Sequence, residues 1–239
     1  MGNRFQEIYR TLLDMYGPQG WWPVTPPGKN KPEYHTDIDN ERQRLEIMIG
    51  SILTQNTQWQ PNVERAIARL HEMGLIDVDA IIDAEHEKIA SAIKSSGYFN
   101  QKAKKLKRLA HFLKEHSIEG LRGKDTMGAR KLLLGINGVG KETADSMILY
   151  ALDKPIFVVD TYTRRMFSRY GLITAEQDYD EIQPIFTRHL ESDSEIFKEY
   201  HALIVEHGKR YYSKKPFGED DPVIMKEKGK IYNSVIILL

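Results

Sequence analysis

The sequence contains no cysteine in its 239 residues. This absence excludes disulfides, thiolate zinc sites, cysteine-ligated iron–sulfur clusters and a cysteine nucleophile. The eight histidines also lack the spacing of metal ligands. His201 and His207, for example, lie six residues apart, which does not place them on one face of a helix. We therefore expect no resident metal ion and assign the histidines structural or solvent-facing roles.

Long apolar runs and an excess of one charge are also missing. No run approaches the ~20 residues that a membrane-spanning helix needs, and residues 1–10 have no apolar signal core. Lysine and arginine together number 34, as do aspartate and glutamate, so net charge gives no argument for a nucleic-acid partner. We expect a cytoplasmic protein that does not contact membranes.

Apolar residues recur at helical spacing through most of the chain, and no segment alternates with the period of two typical of strands. Residues 17–40 are rich in proline and polar side chains, which predicts a loop. The segment after Pro216 has no clear pattern, and its last apolar run, 235–239, is open to a helix, a strand or a disordered end. Helices are predicted at 3–15, 41–56, 60–73, 86–93, 100–116, 126–134, 141–152, 160–170, 178–191 and 194–211. The sequence therefore predicts an all-α protein.

Two glycines mark the turn in residues 132–144, between a predicted helix and the next one at Lys141. Gly138 and Gly140 flank Val139, and glycine permits a positive φ and a close backbone approach. The first amides of the second helix have no partner within that helix and favour an anion. The pattern is typical of a helix–hairpin–helix that grips DNA phosphates without reading sequence. A plain turn between packed helices is the alternative. The candidate DNA contacts are Gly138, Gly140, Lys141 and Thr143.

Asp160 follows four apolar residues, 156–159, and lies sixteen residues beyond Ala144. This arrangement seats a carboxylate at the start of the predicted helix 160–170, at the edge of an apolar core. Aspartate is a favourable helix N-cap, especially before Thr161. The segment by itself favours this capping role.

The hairpin, followed by Val-Val-Asp-Thr-Tyr at 158–162, resembles the helix–hairpin–helix DNA glycosylase superfamily, whose best-known member is endonuclease III. The resemblance extends over about 45–216, and residues 134–165 carry its signature. It implies that Asp160 is the catalytic carboxylate, which is compatible with capping. An ionised carboxylate near C1′ stabilises the oxocarbenium-like transition state and orients or deprotonates the attacking water.

The resemblance also implies a two-lobed, all-α fold with a DNA-binding cleft between the lobes. One lobe would comprise 41–160, with the hairpin at about 132–144. The other would combine 1–40 with 161–216, and 217–239 would be a tail of unknown role. The expected partner is duplex DNA containing a damaged base, bound by a monomer that is associated with the nucleoid if the source is prokaryotic.

Bifunctional members of this superfamily carry a lysine two residues after the second hairpin glycine, which attacks C1′ and forms a Schiff base. That position is Glu142 here, and we include Glu142 among the candidate substrate-binding residues. Lys141 lies one residue early, and one step along a helix rotates the side chain by ~100°. The resemblance therefore implies a monofunctional enzyme that uses water and lacks strong lyase activity, with Lys141 as a phosphate contact.

The iron–sulfur members place four cysteines after a His-Gly-basic segment. This chain keeps His207-Gly208-Lys209 but has Tyr212 near the place of the first cysteine. We expect no iron–sulfur cluster and no other cofactor. The hairpin carbonyls are candidate ligands for a monovalent cation.

The three tryptophans suggest which base is removed. Trp21 and Trp22 precede Pro23 in a loop, and Trp59 follows Leu-Thr-Gln-Asn-Thr-Gln at 53–58. They are either core-packing residues or a stacking box for a base flipped out of the duplex. Stacking contributes roughly 1–3 kcal/mol per base, and a cationic alkylated base adds cation–π attraction. Such a base also departs neutral and needs little acid catalysis.

These tryptophans, the segment 96–104 and the hairpin together resemble the 3-methyladenine DNA glycosylase III type, a branch without an iron–sulfur cluster. The resemblance implies that Trp21, Trp22, Pro23 and Trp59 line an alkylbase pocket. A pocket lysine of that branch falls at Leu203 here, so selectivity for 3-methyladenine is not assured. Gln55 and Asn56 are the candidates to fill the gap left by the flipped nucleotide, and the resemblance favours Gln55. A buried amide that caps the helix end is the alternative role for Gln55.

Two rival functions remain open at this point. One is a mismatch or adenine glycosylase of the same superfamily, against which the Trp-Trp-Pro segment and the missing cluster count. The other is a helix–hairpin–helix protein that binds DNA without catalysis. The first predicts base release from undamaged mismatches, and the second predicts binding without base release.

Overall fold

The computed structural model of the chain describes residues 3–225. The apolar run 235–239, on which no single prediction was made, lies outside these residues. The described part contains no β-strand and has one isolated antiparallel bridge, between Val24 and Glu33. The predicted all-α class is confirmed. No helix in this part is both long and apolar enough to cross a membrane.

The helices follow one another closely along the chain. In order they are α1 (Arg4–Tyr16), α2 (Glu41–Leu53), α3 (Glu64–Glu72), α4 (Val78–Asp83), α5 (His86–Ala92), α6 (Phe99–Glu115), α7 (Ile118–Arg122), α8 (Thr126–Leu134), α9 (Lys141–Ser146), α10 (Thr161–Arg169), α11 (Tyr179–His189) and α12 (Ser194–Tyr211). A π-helical turn, Trp59–Val63, precedes α3, and a second, Met147–Ala151, continues α9. A 3₁₀ turn, Lys94–Ser96, precedes α6.

The structure differs from the predicted helices mainly at short elements. The periodicity does not predict α4, α7 or the 3₁₀ turn, because three to six residues offer too few positions for a helical repeat to stand out. Helix α2 ends at Leu53, before the predicted end at residue 56. Asn56 has φ of 53°, a left-handed conformation that cannot continue a right-handed helix.

One compact unit spans Gly20–Ile156 and is built around α2. The residues of α2 from Gln43 to Leu53 are all buried, and a helix buried on every side lies inside its unit. Helices α4 and α5 pack on α6, and the π-helical turn 147–151 packs on α2. Arg130 of α8 reaches Asp145 of α9 through two buried hydrogen bonds of 2.8 and 3.2 Å. This ion pair joins the two helices that flank the glycine hairpin.

The other unit comprises the described residues up to Gln19 and those from Phe157 onward. Its core is aromatic. Phe157 stacks on Phe186 with ring centroids 4.1 Å apart, and Phe5 stacks on Phe167 at 5.5 Å. Helix α1 packs on α11 and α12, and α10 packs on α12. The C-terminal helices and the N-terminal helix thus share one core.

A buried hydrogen-bond network anchors the segment after α12. The Asp221 carboxylate accepts from the hydroxyls of Tyr212 at 2.6 Å and Tyr170 at 2.7 Å, and it lies 3.0 Å from Nε2 of His207. Nδ1 of His207 in turn lies 2.7 Å from the Tyr16 hydroxyl. Tyr212 is the residue near the expected place of the first cluster cysteine, and it is fully buried. Hydrogen bonds therefore hold this segment of the chain.

The unit boundaries differ from the predicted lobes at residues 20–40. These residues belong to the unit Gly20–Ile156, together with the hairpin, rather than with the C-terminal helices. The reason is that Trp22 packs against Trp59 and Tyr150, and Val24 is fully buried. An apolar segment inside a loop joins the core that covers it, and sequence position alone does not say which core that is.

Candidate functional site

Asp160 begins α10 and caps it. Its Oδ1 accepts hydrogen bonds from the backbone N–H and the hydroxyl of Thr163, both at 2.7 Å. No described residue donates to Oδ2, and the side chain is half-buried. The capping role favoured by the segment is thus present, and it uses one of the two carboxylate oxygens. The second oxygen is left to act on a substrate or a water molecule.

Two side chains of α11 form hydrogen bonds with the backbone that leads into Asp160. Gln183 donates through Nε2 to the carbonyl of Phe157 at 2.6 Å, and the Tyr179 hydroxyl accepts from the N–H of Val159 at 3.3 Å. Phe157, Val158 and Val159 are essentially inaccessible to solvent. The carboxylate therefore stands at the end of a rigid, apolar segment, which limits the positions that it can sample.

The charge of Asp160 affects the pKa values of two further side chains. Burial lowers the pKa of the His201 imidazole on α12, and the Asp160 charge partly opposes that shift. Burial also raises the pKa of the Tyr162 hydroxyl, and the Asp160 charge adds to the rise. Tyr162 packs directly on α12, since a Cβ at Gly208 would lie 2.4 Å from its ring. His201 is a residue that the sequence did not connect with Asp160, because the two are 41 positions apart.

The glycine hairpin has the expected turn at Gly138 but not at Gly140. Gly138 has φ of 97°, and a Cβ there would lie 2.8 Å from Cε of Lys105. The positive φ requires glycine at this position, and the Lys105 side chain packs closely on it. Gly140 has φ of −91° and open space around a hypothetical Cβ, so no steric demand for glycine arises within the described residues. Val139 is buried, as predicted for a residue between two helices.

In the described part of the chain, the start of α9 has no capping side chain at its N-cap residue, Gly140. Lys141 is half-buried, Glu142 is exposed and Thr143 is buried. Glu142 thus stands on the surface at the position where bifunctional relatives carry a lysine. Lys141 and Thr143 as DNA contacts, and Glu142 as a substrate contact, stay predictions.

Gln55 joins three parts of the same unit. Its side-chain amide nitrogen donates to the Thr143 hydroxyl at 2.9 Å and to the Gly138 carbonyl at 3.2 Å. Its amide oxygen accepts from the Lys105 ammonium. In this structure Gln55 therefore belongs to the support of the hairpin, and its insertion into DNA stays a prediction. Asn56, the next residue, is exposed.

Two hairpin carbonyls already accept hydrogen bonds. The Gly138 carbonyl accepts from Gln55, and the Asn137 carbonyl accepts from Arg108 at 3.3 Å. A monovalent cation at the hairpin would have to share or replace these partners, and such a site stays a prediction.

The three tryptophans meet, although Trp59 lies 37 positions after Trp22. The ring centroids of Trp21 and Trp22 lie 5.0 Å apart, and Trp59 lies 5.2 Å from the first and 5.6 Å from the second, edge to face in both pairs. Trp22 and Trp59 are buried, whereas Trp21 is half-exposed. We call Trp21, Trp22 and Trp59 the tryptophan cluster.

Both buried members of the tryptophan cluster carry a spare hydrogen-bond donor. Nε1 of Trp22 and Nε1 of Trp59 are buried and have no acceptor among the described residues. Buried N–H groups are nearly always paired, so two unpaired ones in one cluster call for an explanation. Core packing explains the burial of the rings but leaves these two donors unsatisfied.

Residues that sequence reasoning missed hold the tryptophan cluster in place. The Trp22 ring also lies 5.3 Å from Tyr150, and a Cβ at Gly50 would approach Trp22 Cζ2 to 2.9 Å. Pro23, a predicted pocket residue, is buried beside Trp22. The signal that could have identified Gly50 is its place inside α2, since glycine in a helix interior costs about 1 kcal/mol relative to alanine.

A buried polar pair fixes the chain just after Pro23. The Glu46 carboxylate accepts from the N–H and the hydroxyl of Thr25 at 2.9 and 3.0 Å. Its other oxygen lies 2.5 Å from Nε2 of His71. Glu46 is wholly inaccessible to solvent. This pair anchors the segment 21–25 to α2 and α3.

The matching family model, described as HhH-GPD superfamily base excision DNA repair protein, covers residues 49–192. MJ1434 of Methanocaldococcus jannaschii, assigned by its name to the DNA repair glycosylases, is 45% identical over 228 residues, which cover 92% of this chain and 96% of that protein. The endonuclease III of Sulfolobus acidocaldarius is 28% identical over 192 residues, 80% of this chain and 83% of that protein.

A solved structure supports the same grouping. The 3-methyladenine DNA glycosylase MagIII of H. pylori, solved with 1,N6-ethenoadenine bound, superimposes with a TM-score of 0.68 at 28% identity. The match covers 86% of this chain and 97% of that one. The family predicted from the hairpin and Asp160 is thereby confirmed, and this chain belongs to the HhH-GPD superfamily of base excision DNA repair proteins.

Proposed function

We propose that this member of the DNA glycosylases is monofunctional and removes alkylated purines of the 3-methyladenine type from duplex DNA by hydrolysing the N-glycosidic bond. The observation that carries the proposal is the tryptophan cluster, in which three aromatic rings meet and Trp21 stays half-exposed. The likeness to MagIII, whose name assigns it to 3-methyladenine, agrees with this choice.

The tryptophan cluster suits an electron-poor purine. Trp21 is half-exposed and offers a ring on which a flipped base stacks, a contact that contributes roughly 1–3 kcal/mol. N-alkylation at N3 or N7 gives the purine a positive charge, and indole is the aromatic side chain that attracts cations most strongly. The indole N–H groups of Trp22 and Trp59 are fully buried, and that of Trp22 lies against α2 at Gly50, so the base meets the cluster through the ring of Trp21. An unmodified purine lacks the charge and gains only the stacking.

Asp160 supplies the charge that bond cleavage needs. As the C1′–N bond breaks, its electron pair goes to the cationic base, which leaves neutral, and positive charge grows on the sugar. The free Oδ2 of Asp160 stabilises this charge by electrostatics. Water then bonds through its oxygen to C1′, and its proton goes to the carboxylate. Because the base leaves neutral, no second acid is required.

The absence of a lysine at position 142 argues for water as the nucleophile. Glu142 is exposed at the position of the Schiff-base lysine and cannot form a covalent imine. Lys141 is half-buried at the start of α9 and points from a different angle of the helix, where it suits a phosphate. The proposal therefore includes intact strands after base release.

The hairpin and its neighbours suit the DNA backbone. Gly138 brings the chain into a tight turn before the uncapped start of α9, where amides and the helix dipole favour a phosphate. Such contacts position the duplex and carry no sequence information. Tyr98 is 68% exposed at the start of α6, in the same unit, and provides a further aromatic surface for a base.

The test is release of free base from duplex DNA treated with a methylating agent, measured by chromatography for the wild type and Asp160→Asn. We expect the wild type to release 3-methyladenine and to leave the strands intact until alkali is added. Asp160→Asn keeps the cap on Thr163, because asparagine caps as well as aspartate, but it removes the charge. We expect its rate to fall ~10²–10⁴-fold, the range for a group of this kind, with little change in stability.

A matched control is Asp178→Asn, since Asp178 caps α11 in the same way through the N–H of Glu181. This variant should retain the wild-type rate. Tight DNA binding without base release by the wild type would refute the alkylbase proposal. Release of a base from undamaged mismatches, with none from methylated DNA, would instead establish a mismatch or adenine glycosylase.

A further inference from the structure

Lys102 is a buried cation in the middle of the unit that carries the hairpin. It lies on the inner face of α6 and is 2% exposed. Its ammonium donates to the Leu53 carbonyl at 2.7 Å, the Ser96 carbonyl at 2.7 Å and the Thr57 hydroxyl at 2.9 Å. All three hydrogens of the ammonium are thus engaged, and all three acceptors are neutral oxygens.

A charge in this position is costly to keep. No carboxylate pairs with Lys102 among the described residues, and burying an unpaired charge is far less favourable than burying an apolar side chain. Burial, together with the nearby charge of Lys105, lowers the pKa of Lys102 to about 8. A leucine or methionine would fill the same space at lower cost, so the packing of α6 does not explain the lysine.

The three acceptors lie in two segments of the chain, residues 53–57 and the turn 94–96. Leu53 ends α2, Thr57 lies in the loop 54–58, and Ser96 lies in the turn before Tyr98. A side chain with three donors can hold three such oxygens at once, which no apolar residue can do. Thr57 strengthens the junction, because its hydroxyl lies 2.6 Å from the same Ser96 carbonyl.

The two segments that Lys102 joins each present an exposed residue in an unusual conformation. Asn56 has φ of 53° and Tyr98 has φ of 47°, and neither is a glycine. Left-handed backbone at such residues is uncommon and persists only when the surroundings hold it. Both side chains are exposed, so packing of their own atoms does not hold them. The Lys102 ammonium bonds to the backbone three residues before Asn56, at Leu53, and two residues before Tyr98, at Ser96.

We propose that Lys102 is a positioning residue that fixes the loop 54–58 and the turn before Tyr98, and thereby sets the preference of the enzyme for DNA with an extruded nucleotide over undamaged duplex. The proposal rests on the proposed function. Filling the space of an extruded nucleotide requires side chains at fixed positions, whereas the hairpin grips the backbone of any duplex. Lys102 therefore acts chiefly on the first kind of contact. Gln55 of the same loop also bonds to the hairpin, but the Arg130–Asp145 ion pair joins the two hairpin helices without Lys102.

The experiment compares Lys102→Met with the wild type and with Lys88→Met, an exposed lysine of α5 in the same unit. The control loses the same charge without touching the loop. Dissociation constants are measured for undamaged duplex and for the same duplex with a tetrahydrofuran abasic analogue, and base release is measured from methylated duplex. The preference for an extruded nucleotide is the dissociation constant for undamaged duplex divided by that for the duplex with the abasic analogue. We expect Lys102→Met to lower this ratio about tenfold, the scale of lost charged hydrogen bonds. The affinity of Lys102→Met for undamaged duplex should change by less than about twofold. The ratio measured for Lys88→Met should also stay within about twofold of the wild-type ratio.

A second variant protects the test if Lys102→Met fails to fold. Thr57→Val removes one acceptor and keeps the lysine, and it should lower the same ratio about threefold. In the Thr57→Val background the effect of Lys102→Met should shrink, because the two groups act through one hydrogen bond. A folded Lys102→Met, or Thr57→Val alone, with the wild-type ratio would overturn the positioning role.

The outcomes also separate this proposal from the proposed function. If the wild type releases alkylated base and prefers the abasic analogue while both variants match it, Lys102 has no positioning role and the glycosylase assignment stands. If the wild type neither releases base nor distinguishes the two duplexes, the proposed function fails and the role of Lys102 fails with it. If the wild type releases alkylated base, and the variants show a lower ratio of dissociation constants but keep the wild-type affinity for undamaged duplex, both the proposed function and the positioning role are supported.

Discussion

At the scale of single residues, the candidate functional side chains in this protein also have structural roles. Asp160 caps α10 with one oxygen and keeps the other available. Gln55 supports the hairpin through Thr143 and Gly138. Substitution by alanine cannot test a residue with two roles, since it would remove both. Substitutions that preserve the hydrogen bond and remove the charge separate them.

At position 142 a substitution can add a functional group instead of removing one. Glu142→Lys places an amine where bifunctional relatives carry their nucleophile, and Glu142 is exposed, so the change costs little stability. We expect the variant to form a covalent complex with DNA that carries an abasic site, trapped by borohydride at a yield at least about tenfold above the wild type. The trapped complex is measured on a denaturing gel.

The wild type is the control for this prediction, because it retains Lys141. Efficient trapping of the wild type would mean that Lys141 reaches C1′, and the monofunctional assignment would then be wrong. Trapping of the variant alone would show that position 142, and not 141, faces the sugar.

At the scale of elements, α2 determines where the tryptophan cluster lies. Gly50 lets Trp22 rest directly on the helix backbone, and Glu46, one turn earlier, anchors Thr25. One helix thus holds the loop segment at two points four residues apart, which is the spacing of one helical face. The loop is fixed although it contains almost no regular structure of its own.

Gly50→Ala tests this arrangement. The new Cβ would lie 2.9 Å from Trp22 Cζ2 and 3.1 Å from Nε1, so the indole must move. We expect a loss of about 1–3 kcal/mol in the free energy of unfolding, the range for overpacking, reduced by up to ~1 kcal/mol from the better helix propensity of alanine. Urea unfolding gives the stability, and tryptophan fluorescence reports the displaced ring.

The matched control for Gly50→Ala is Gly123→Ala. Gly123 ends α7 with φ of −70°, and a Cβ there would have ordinary contacts of 3.6 and 3.7 Å. Its stability should stay within about 0.5 kcal/mol of the wild type. If Gly50→Ala behaved in the same way, with unchanged fluorescence, the close packing of Trp22 on α2 would be disproved.

At the scale of the whole molecule, burial of ionisable groups makes stability depend on pH. The pKa of His201 is lowered in the folded state by burial, against which the charge of Asp160 acts. The unfolded chain therefore binds a proton at His201 more readily than the folded chain does. By linkage, stability from this group is present above the unfolded pKa of about 6.5 and is lost as pH falls below it.

We expect the free energy of unfolding to decrease between pH 7 and pH 5, with His201 contributing a slope of up to about 1.4 kcal/mol per pH unit. His201→Gln should flatten this slope, because glutamine does not titrate. His111→Gln, on the exposed face of α6, should keep the wild-type slope. Urea unfolding at several pH values measures it, and equal slopes for both variants would exclude His201 as the cause.

The sequence by itself determined the features that depend on local spacing. Helical periodicity indicated the helical class and the longer helices, because their apolar repeats run over three or more turns. The hairpin glycines and the segment Val-Val-Asp-Thr-Tyr at 158–162 resemble the motifs of the family, and such a resemblance can be read from neighbouring residues alone. The absence of cysteine excluded a cysteine-ligated cluster without reference to any fold.

Only the tertiary structure decided which distant residues meet. Short helices such as α4 and α7 carry too few residues for a pattern, and the loop 20–40 could have joined either unit. The meeting of Trp59 with Trp22, the approach of Trp22 to Gly50 and the burial of Lys102 each depend on how helices pack. Such contacts lower the free energy only once the whole core is assembled, so no local stretch of sequence encodes them.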